Sequence, residues 1–238
     1  MEGINNSWLK FESCDYADRL LAKLSQLNSE VDQPIDMNIV KKAIYYAKKY
    51  HGEQKRQTGE PYYSHPIEVA YMLAEYAAQN DKLYFRTDLT VTAILHDTIE
   101  DTKLTKSNIA YIFSDLIADQ VEKLTRVKCD RKISSAEIME LLWQQKRYDI
   151  IMVKIFDRIH NLETVGIKSP KKIKKIIEET FKNFISISMC CGTKQLENIL
   201  TTLCYKHLPI TDPLELTTII QHKYQLPTPT FENDINQK

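Results

Sequence analysis

Four metal-capable or acid/base side chains fall within six residues in Leu95-His96-Asp97-Thr98-Ile99-Glu100-Asp101-Thr102. The surrounding segment reads as a buried helix, with Val91, Ile94 and Leu95 as its apolar residues. At about 100° per residue, His96, Asp97, Glu100 and Asp101 share one sector roughly 140° wide. A charged cluster at the end of a core-facing helix is costly to desolvate unless it is paired or holds a metal. An adjacent His-Asp doublet can put an imidazole nitrogen and a carboxylate oxygen on one divalent ion. Glu100 and Asp101, one turn further on, would then lie close enough to handle a water on that ion. A lone His-Asp pair is also common without any metal, so its partners elsewhere in the chain decide the matter.

A second anomaly lies in residues 149–165. Ile150, Val153, Asp157, Asn161 and Thr164 share one helical face, beside a stripe of Ile151, Ile155, Ile159 and Leu162. The spacing predicts a largely buried helix whose inward face is interrupted by Asp157 and Asn161. Either Arg158 or His160 satisfies Asp157 in a structural ion pair, or Asp157 is a distant carboxylate ligand and Asn161 points an amide at a substrate. A third candidate is His65 in Tyr62-Tyr63-Ser64-His65-Pro66, where a loop meets a helix and a histidine is ordinarily exposed or capping. As a ligand it would complete a set of His65, His96, Asp97 and Asp157. Such a mixed N/O environment suits Mn²⁺, Fe²⁺ or Zn²⁺ and leaves positions open for water and a phosphate oxygen. The loop before it adds flexibility and cationic donors. There Arg56 suits bidentate contact with a phosphate or stacking on a base, although many loop arginines are simply solvated.

The elements that must position these residues are helical. The chain has 238 residues and only five glycines, and few β-branched alternating runs. Helices are predicted over 16–27, from an Asp36 cap through Ala47, and from Pro66 through Tyr76 after a loop at 51–64. Further helices are predicted through Ile112, over 118–124, 136–147 and 149–165, from Pro170 to about Met189, and over 194–205. A polar loop is expected at 128–135 and a frayed tail over the last dozen residues.

Lys+Arg and Asp+Glu both total 32, which argues against a dedicated partner of DNA or RNA. No apolar run approaches membrane-spanning length, and the N-terminus lacks the pattern of a signal peptide. Five cysteines without a CxxC pair fit free thiols in a reducing cytoplasm. The run Lys171-Lys172-Ile173-Lys174-Lys175 reads chiefly as a solvated face. Nothing in the sequence sets the oligomeric state.

Taken in order, His51-Gly52-Glu53-Gln54 with Arg56, Thr58-Gly59-Glu60-Pro61-Tyr62, His65-Pro66, Leu95 to Thr102, and Lys154-Ile155-Phe156-Asp157-Arg158-Ile159-His160-Asn161-Leu162 resemble the hydrolase domain of the RelA/SpoT family. That family lies within the HD superfamily of metal-dependent phosphohydrolases. A weaker pattern from Glu179-Thr180 to Leu208 is similar to the helical segment that follows the domain. The resemblance implies an all-α HD-domain fold, with an N-terminal helical extension over 1–35, a hydrolase domain over 36–192 and a C-terminal helical segment and tail over 193–238. It implies hydrolysis of the alarmones ppGpp and pppGpp, with release of pyrophosphate from the ribose 3′ position and GDP or GTP as the other product. It implies Mn²⁺ as cofactor, held by His65, His96, Asp97 and Asp157. Glu100 and Asp101 would carry the acid/base and water-positioning work, and Arg56, Thr58, Asn161 and Thr164 would line the nucleotide pocket. Gln57, Phe156 and Glu163 depart from the family pattern, where a basic, a small and a basic residue are usual. A chain ending at Lys238 has no room for the synthetase domain of long relatives, so degradation without synthesis is expected. Other expectations compatible with the sequence are a phosphohydrolase for another nucleotide, such as NADPH or a nucleoside 5′-phosphate, and a non-catalytic alarmone-binding module.

Overall fold

The apolar spacing of the N-terminal third forms three helices, α1 (Asp15–Asn28), α2 (Met37–His51) and α3 (Ser64–Asn80). The structure is a computed structural model that describes Trp8, residues 12–126 and residues 131–208. The expected frayed tail, and part of the loop expected at 128–135, lie outside the described residues. Among these residues there is no β-strand, and no helix is long and apolar enough to cross a membrane. The fold is all-helical.

Asp36 caps α2 as its position predicts. Its carboxylate accepts hydrogen bonds from the backbone N–H groups of Asn38 and Ile39, at 2.8 and 3.2 Å. N-caps of this kind contribute about 1 kcal/mol. Asp36→Ala is expected to lower the melting temperature by roughly 2–4 °C, read by thermal denaturation.

The centre of the first compact unit, Met1–Ser169, is built on α3, which packs against α1, α4 (Thr87–Leu95) and α9 (Tyr148–Glu163). The seven residues Leu89–Leu95 of α4 are all buried, as are Ile150–Ile159 and Leu162 of α9. Short helices α5 (Thr98–Asp101), α6 (Lys106–Ile112), α7 (Asp115–Leu124) and α8 (Ser135–Gln144) complete this unit. Phe156 turns away from the chemistry and packs on Tyr76 of α3, with ring centroids 5.5 Å apart.

The second unit starts at Pro170, where α10 (Pro170–Glu179) runs into a π-helical stretch, Thr180–Ile185, then α11 (Ser186–Cys190) and α12 (Lys194–His207). Its core includes Ile177, Phe184, Leu196 and Leu200. Lys171, Lys172, Lys174 and Lys175 are exposed. The division into compact units falls between Ser169 and Pro170.

The helix predicted to carry His96 through Asp101 is broken. α4 ends at Leu95, and His96 and Asp97 form a turn before α5. Two side chains take carbonyls near the break: His96 Nδ1 lies 2.8 Å from Ala93 O, and Thr98 Oγ1 donates to Leu95 O at 2.6 Å. Such local side-chain bonds compete with the helical ladder. The sector arithmetic for one continuous helix therefore does not describe how these four residues are disposed.

Candidate active site

Three separate elements bring the ligand-type residues together. His65 comes from the first turn of α3, His96 and Asp97 from the turn after α4, and Asp157 from the middle of α9. His65 Nε2 lies 3.1 Å from Asp157 Oδ1 and 3.6 Å from Asp97 Oδ2. His96 Nε2 lies 3.1 Å from Asp97 Oδ1 and 3.7 Å from Asp157 Oδ1. Ligand-type atoms of His65, His96 and Asp157 fall within 4.8 Å of one another, and all three residues are buried.

These residues fit a divalent cation. His96 Nε2 is buried with no hydrogen-bond partner, although Asp97 Oδ1 is near, while Nδ1 is committed to Ala93 O. That leaves Nε2 facing two carboxylates. Burial disfavours the charged imidazole of His96, but Asp97 and Asp157 outweigh it and lift the pKa to about 10. Burial likewise opposes ionisation of Asp157 and Asp97, yet Lys154 and the two histidines hold Asp157, and His96 chiefly holds Asp97, below the usual carboxylate range. A site this hungry for positive charge, with two imidazole and two carboxylate side chains, matches a borderline divalent metal.

Asp157 divides its two oxygens. Oδ2 takes the ammonium of Lys154 at 2.8 Å, and Oδ1 faces the imidazoles while accepting from Asn161 Nδ2 at 2.5 Å. The ion-pair partner expected for Asp157 was Arg158 or His160; the structure uses Lys154, one turn back on the inward face. His160 bonds His65 instead, Nδ1 to Nδ1 at 2.7 Å. Burial, His65 and Arg56 push the His160 pKa down to about 3, so it is neutral.

Around this floor is a cavity of about 330 Å³ lined by Arg56, Thr58, Glu100, Asp101, Asn161 and Thr164, among others. Every residue expected from the sequence to bind substrate or do acid/base work lines it. The α2–α3 loop is tied by backbone hydrogen bonds. Arg56 N–H bonds Glu60 O, Gly59 N–H bonds Arg56 O, and Tyr62 N–H bonds Gln54 O, at 2.8–3.0 Å. Gly59 closes this turn at φ +99°, a conformation that favours glycine. Arg56 thereby reaches across to α9, with Nη2 3.2 Å from Thr164 Oγ1 and 3.4 Å from Asn161 Oδ1.

Glu100 and Asp101 take different surroundings. Glu100 is gripped by Arg126 through its guanidinium (2.8 Å) and backbone N–H (3.1 Å), and by Lys132 at 2.8 Å. Burial opposes its ionisation, but these donors outweigh it and lower its pKa. Asp101 Oδ2 accepts from Tyr62 Oη at 2.8 Å, and the same hydroxyl lies 3.1 Å from Asp97 Oδ2. Burial, with Asp97 and Glu100 nearby, raises the Asp101 pKa.

Several residues that shape the site were not singled out from the sequence. Lys154 carried a signal, a lysine on the inward face of a buried helix. Tyr62 lay inside a quoted motif but has no metal or acid/base chemistry of its own. Arg126 lies 26 residues from Glu100, with no periodicity linking them. Lys168 Nζ lies 3.4 Å from Gln57 Oε1, which brings an ammonium to the place where position 57 lacks a charge.

A protein-family model described as an HD domain matches residues 43–188, which is more than half of the chain. The chain belongs to the HD domain family. This HD domain is 32% identical over 198 residues to a guanosine-3′,5′-bis(diphosphate) 3′-pyrophosphohydrolase of Aquifex aeolicus, covering 79% of this chain and 27% of the relative. It is 33% identical over 176 residues to a GTP pyrophosphokinase rsh of Brucella ovis, covering 71% and 22%. The chain thus spans about a quarter of the length of these curated relatives. A solved structure described as a metazoan ortholog of SpoT that hydrolyzes ppGpp aligns with a TM-score of 0.48 at 18% identity, over 82% of this chain and all of that one. The resemblance to RelA/SpoT-family HD domains, read first from the motifs, holds.

Proposed function

We propose that this HD domain hydrolyses ppGpp and pppGpp with Mn²⁺, releasing pyrophosphate from the ribose 3′ position and leaving GDP or GTP. The observation that carries this reading is the meeting of two imidazoles and two carboxylates on the floor of a cation-rimmed cavity. The likeness to the Aquifex aeolicus pyrophosphohydrolase supports the choice of nucleotide. The reading puts the chain in the cytoplasm with its guanosine nucleotide.

His65, His96, Asp97 and Asp157 would hold the cation. When bound, it supplies Lewis-acid chemistry, polarising a phosphoryl oxygen and lowering the pKa of a water. The chain's own residues do the rest. Water oxygen forms a bond to the phosphorus attached to the ribose 3′ oxygen, and the bond from that phosphorus to the 3′ oxygen breaks. Asp101, held by Tyr62 beside Asp97, takes the water proton. Glu100, fixed by Arg126 and Lys132, orders the water, and the leaving 3′ oxygen gains the proton that Asp101 took from the water. Arg56 fits a phosphate or the base face, and Thr58, Asn161 and Thr164 supply polar contacts along the same wall.

The test is pyrophosphate release from ppGpp by the metal-stripped chain, with and without added Mn²⁺. Release that needs Mn²⁺ is the expected result. Cleavage of NADPH or a nucleoside 5′-phosphate in place of ppGpp would overturn the choice of substrate. Binding of ppGpp without turnover at any metal concentration would overturn catalysis.

A further inference from the structure

The two imidazole ligands face one requirement, which is to present Nε2 with an open lone pair. His96 meets it through Nδ1, 2.8 Å from the carbonyl oxygen of Ala93. A carbonyl only accepts, so Nδ1 of His96 carries a proton and Nε2 is the nitrogen left for a cation. His65 meets a different neighbour. Its Nδ1 lies 2.7 Å from Nδ1 of His160, and the two rings are 4.8 Å apart, tilted by 35°.

A hydrogen bond between two imidazole nitrogens contains one proton. If His160 donated it, the remaining proton of a neutral His65 would sit on Nε2, and His65 could not be a ligand. If His160 accepts it, His65 carries its proton on Nδ1, and Nε2 is bare where it faces Asp157 Oδ1 at 3.1 Å and Asp97 Oδ2 at 3.6 Å. Without a cation, the carboxylate of Asp157 can only accept and so favours a proton on His65 Nε2; a cation on Nε2 displaces that proton and selects the second arrangement.

We propose that His160 is a positioning residue. It accepts the Nδ1–H of His65, fixes that ring's tautomer and rotation, and so commits His65 Nε2 to a divalent cation. The inference rests on the metal-site reading and not on the identity of the nucleotide. Outer partners of metal-bound histidines set ligand tautomer and basicity in this way, and their loss costs about 10–100-fold in metal affinity or activity. The sequence offers His160 only as an ion-pair partner for Asp157. Its part is visible only once α3 and α9 are packed together.

Two variants separate acceptance of a proton from simple ring packing. His160→Phe keeps a flat ring against His65 and removes the acceptor. His160→Asn loses the ring and keeps an oxygen near the place of Nδ1. The readout is the dissociation constant for Mn²⁺, followed by the paramagnetic signal of the free ion over the metal-stripped chain, with melting curves for each variant. His160→Phe is expected to bind Mn²⁺ about 10–100-fold more weakly, and His160→Asn to stay much nearer to wild type. Wild-type affinity in the Phe variant would overturn the proposal, and so would an Asn variant as weak as the Phe variant.

A second measurement decides the matter if either variant misfolds. In long-range ¹H–¹⁵N spectra of the wild-type chain loaded with diamagnetic Zn²⁺, the His65 ring should be protonated on Nδ1. Protonation of His65 on Nε2 would overturn the proposal. If the wild-type chain binds neither cation, the metal-site reading fails and the proposal with it; if it binds both and His65 is not protonated on Nδ1, the role of His160 alone has failed.

Discussion

Asp157→Asn is expected to lose bound metal and turnover together. Its Oδ1 is the oxygen on which both imidazoles converge, at 3.1 Å from His65 Nε2 and 3.7 Å from His96 Nε2. A neutral amide is a poor ligand for a divalent ion. Metal-ion catalysis supplies several kcal/mol of transition-state stabilisation, so the loss in turnover is on the order of 10³-fold or more. The same substitution leaves the buried ammonium of Lys154 without its partner at 2.8 Å. Breaking a buried pair from one side typically costs about 3–5 kcal/mol. Asp157→Asn should therefore also melt at a lower temperature than wild type. Asp97→Asn provides the control, because Asp97 has no such ammonium partner among the contacts described above. It should lose metal with a smaller loss of stability. Elemental analysis and calorimetry on the purified variants measure both effects. Full metal content and normal turnover in either variant would rule that residue out as a ligand.

The second large effect separates proton handling from metal holding. Asp101→Asn preserves the shape of the side chain and can still bond Tyr62, but it cannot accept a proton. General acid/base groups typically contribute about 10²–10⁴-fold in rate. Turnover is expected to fall by an amount in that range while metal content stays near wild type. Glu100→Gln should lower turnover similarly, because it discharges the carboxylate that anchors Arg126 and Lys132 at the cavity. The measurement pairs metal analysis with single-turnover pyrophosphate release. A variant that turns over normally would make its carboxylate structural. A variant that loses its metal would make that carboxylate a ligand, and the division of labour proposed above would be wrong.

What the sequence shows and what it hides follow from how far each interaction reaches. The helices were legible because burial repeats every three or four residues, and the Asp36 cap because its bonds are local. His96 and Asp97 stood out because adjacent polar groups on an apolar helix carry a desolvation cost. The break after Leu95 was not legible. Periodicity assumes an unbroken ladder, and the bonds of His96 and Thr98 to carbonyls three residues back are a competing local choice. Lys154 as partner of Asp157, and Arg126 as partner of Glu100, depend on rotamers and tertiary packing that no spacing rule contains. His65 is intermediate. Its position at a helix start was readable, but its bond to His160, 95 residues later, exists only in the folded chain.

The turn that carries Arg56 has a consequence for the thermodynamics of capture. Ordering a residue of free backbone costs about 1–2 kcal/mol, and immobilising a long side chain adds more. Here the backbone bonds among Gln54, Arg56, Gly59, Glu60 and Tyr62 have already fixed the loop, and the guanidinium already rests against Asn161 and Thr164. The entropy of that wall is surrendered when the chain folds, not when a ligand arrives. An anionic guest entering the cavity meets a preorganised cation, and more of the contact energy is left for affinity.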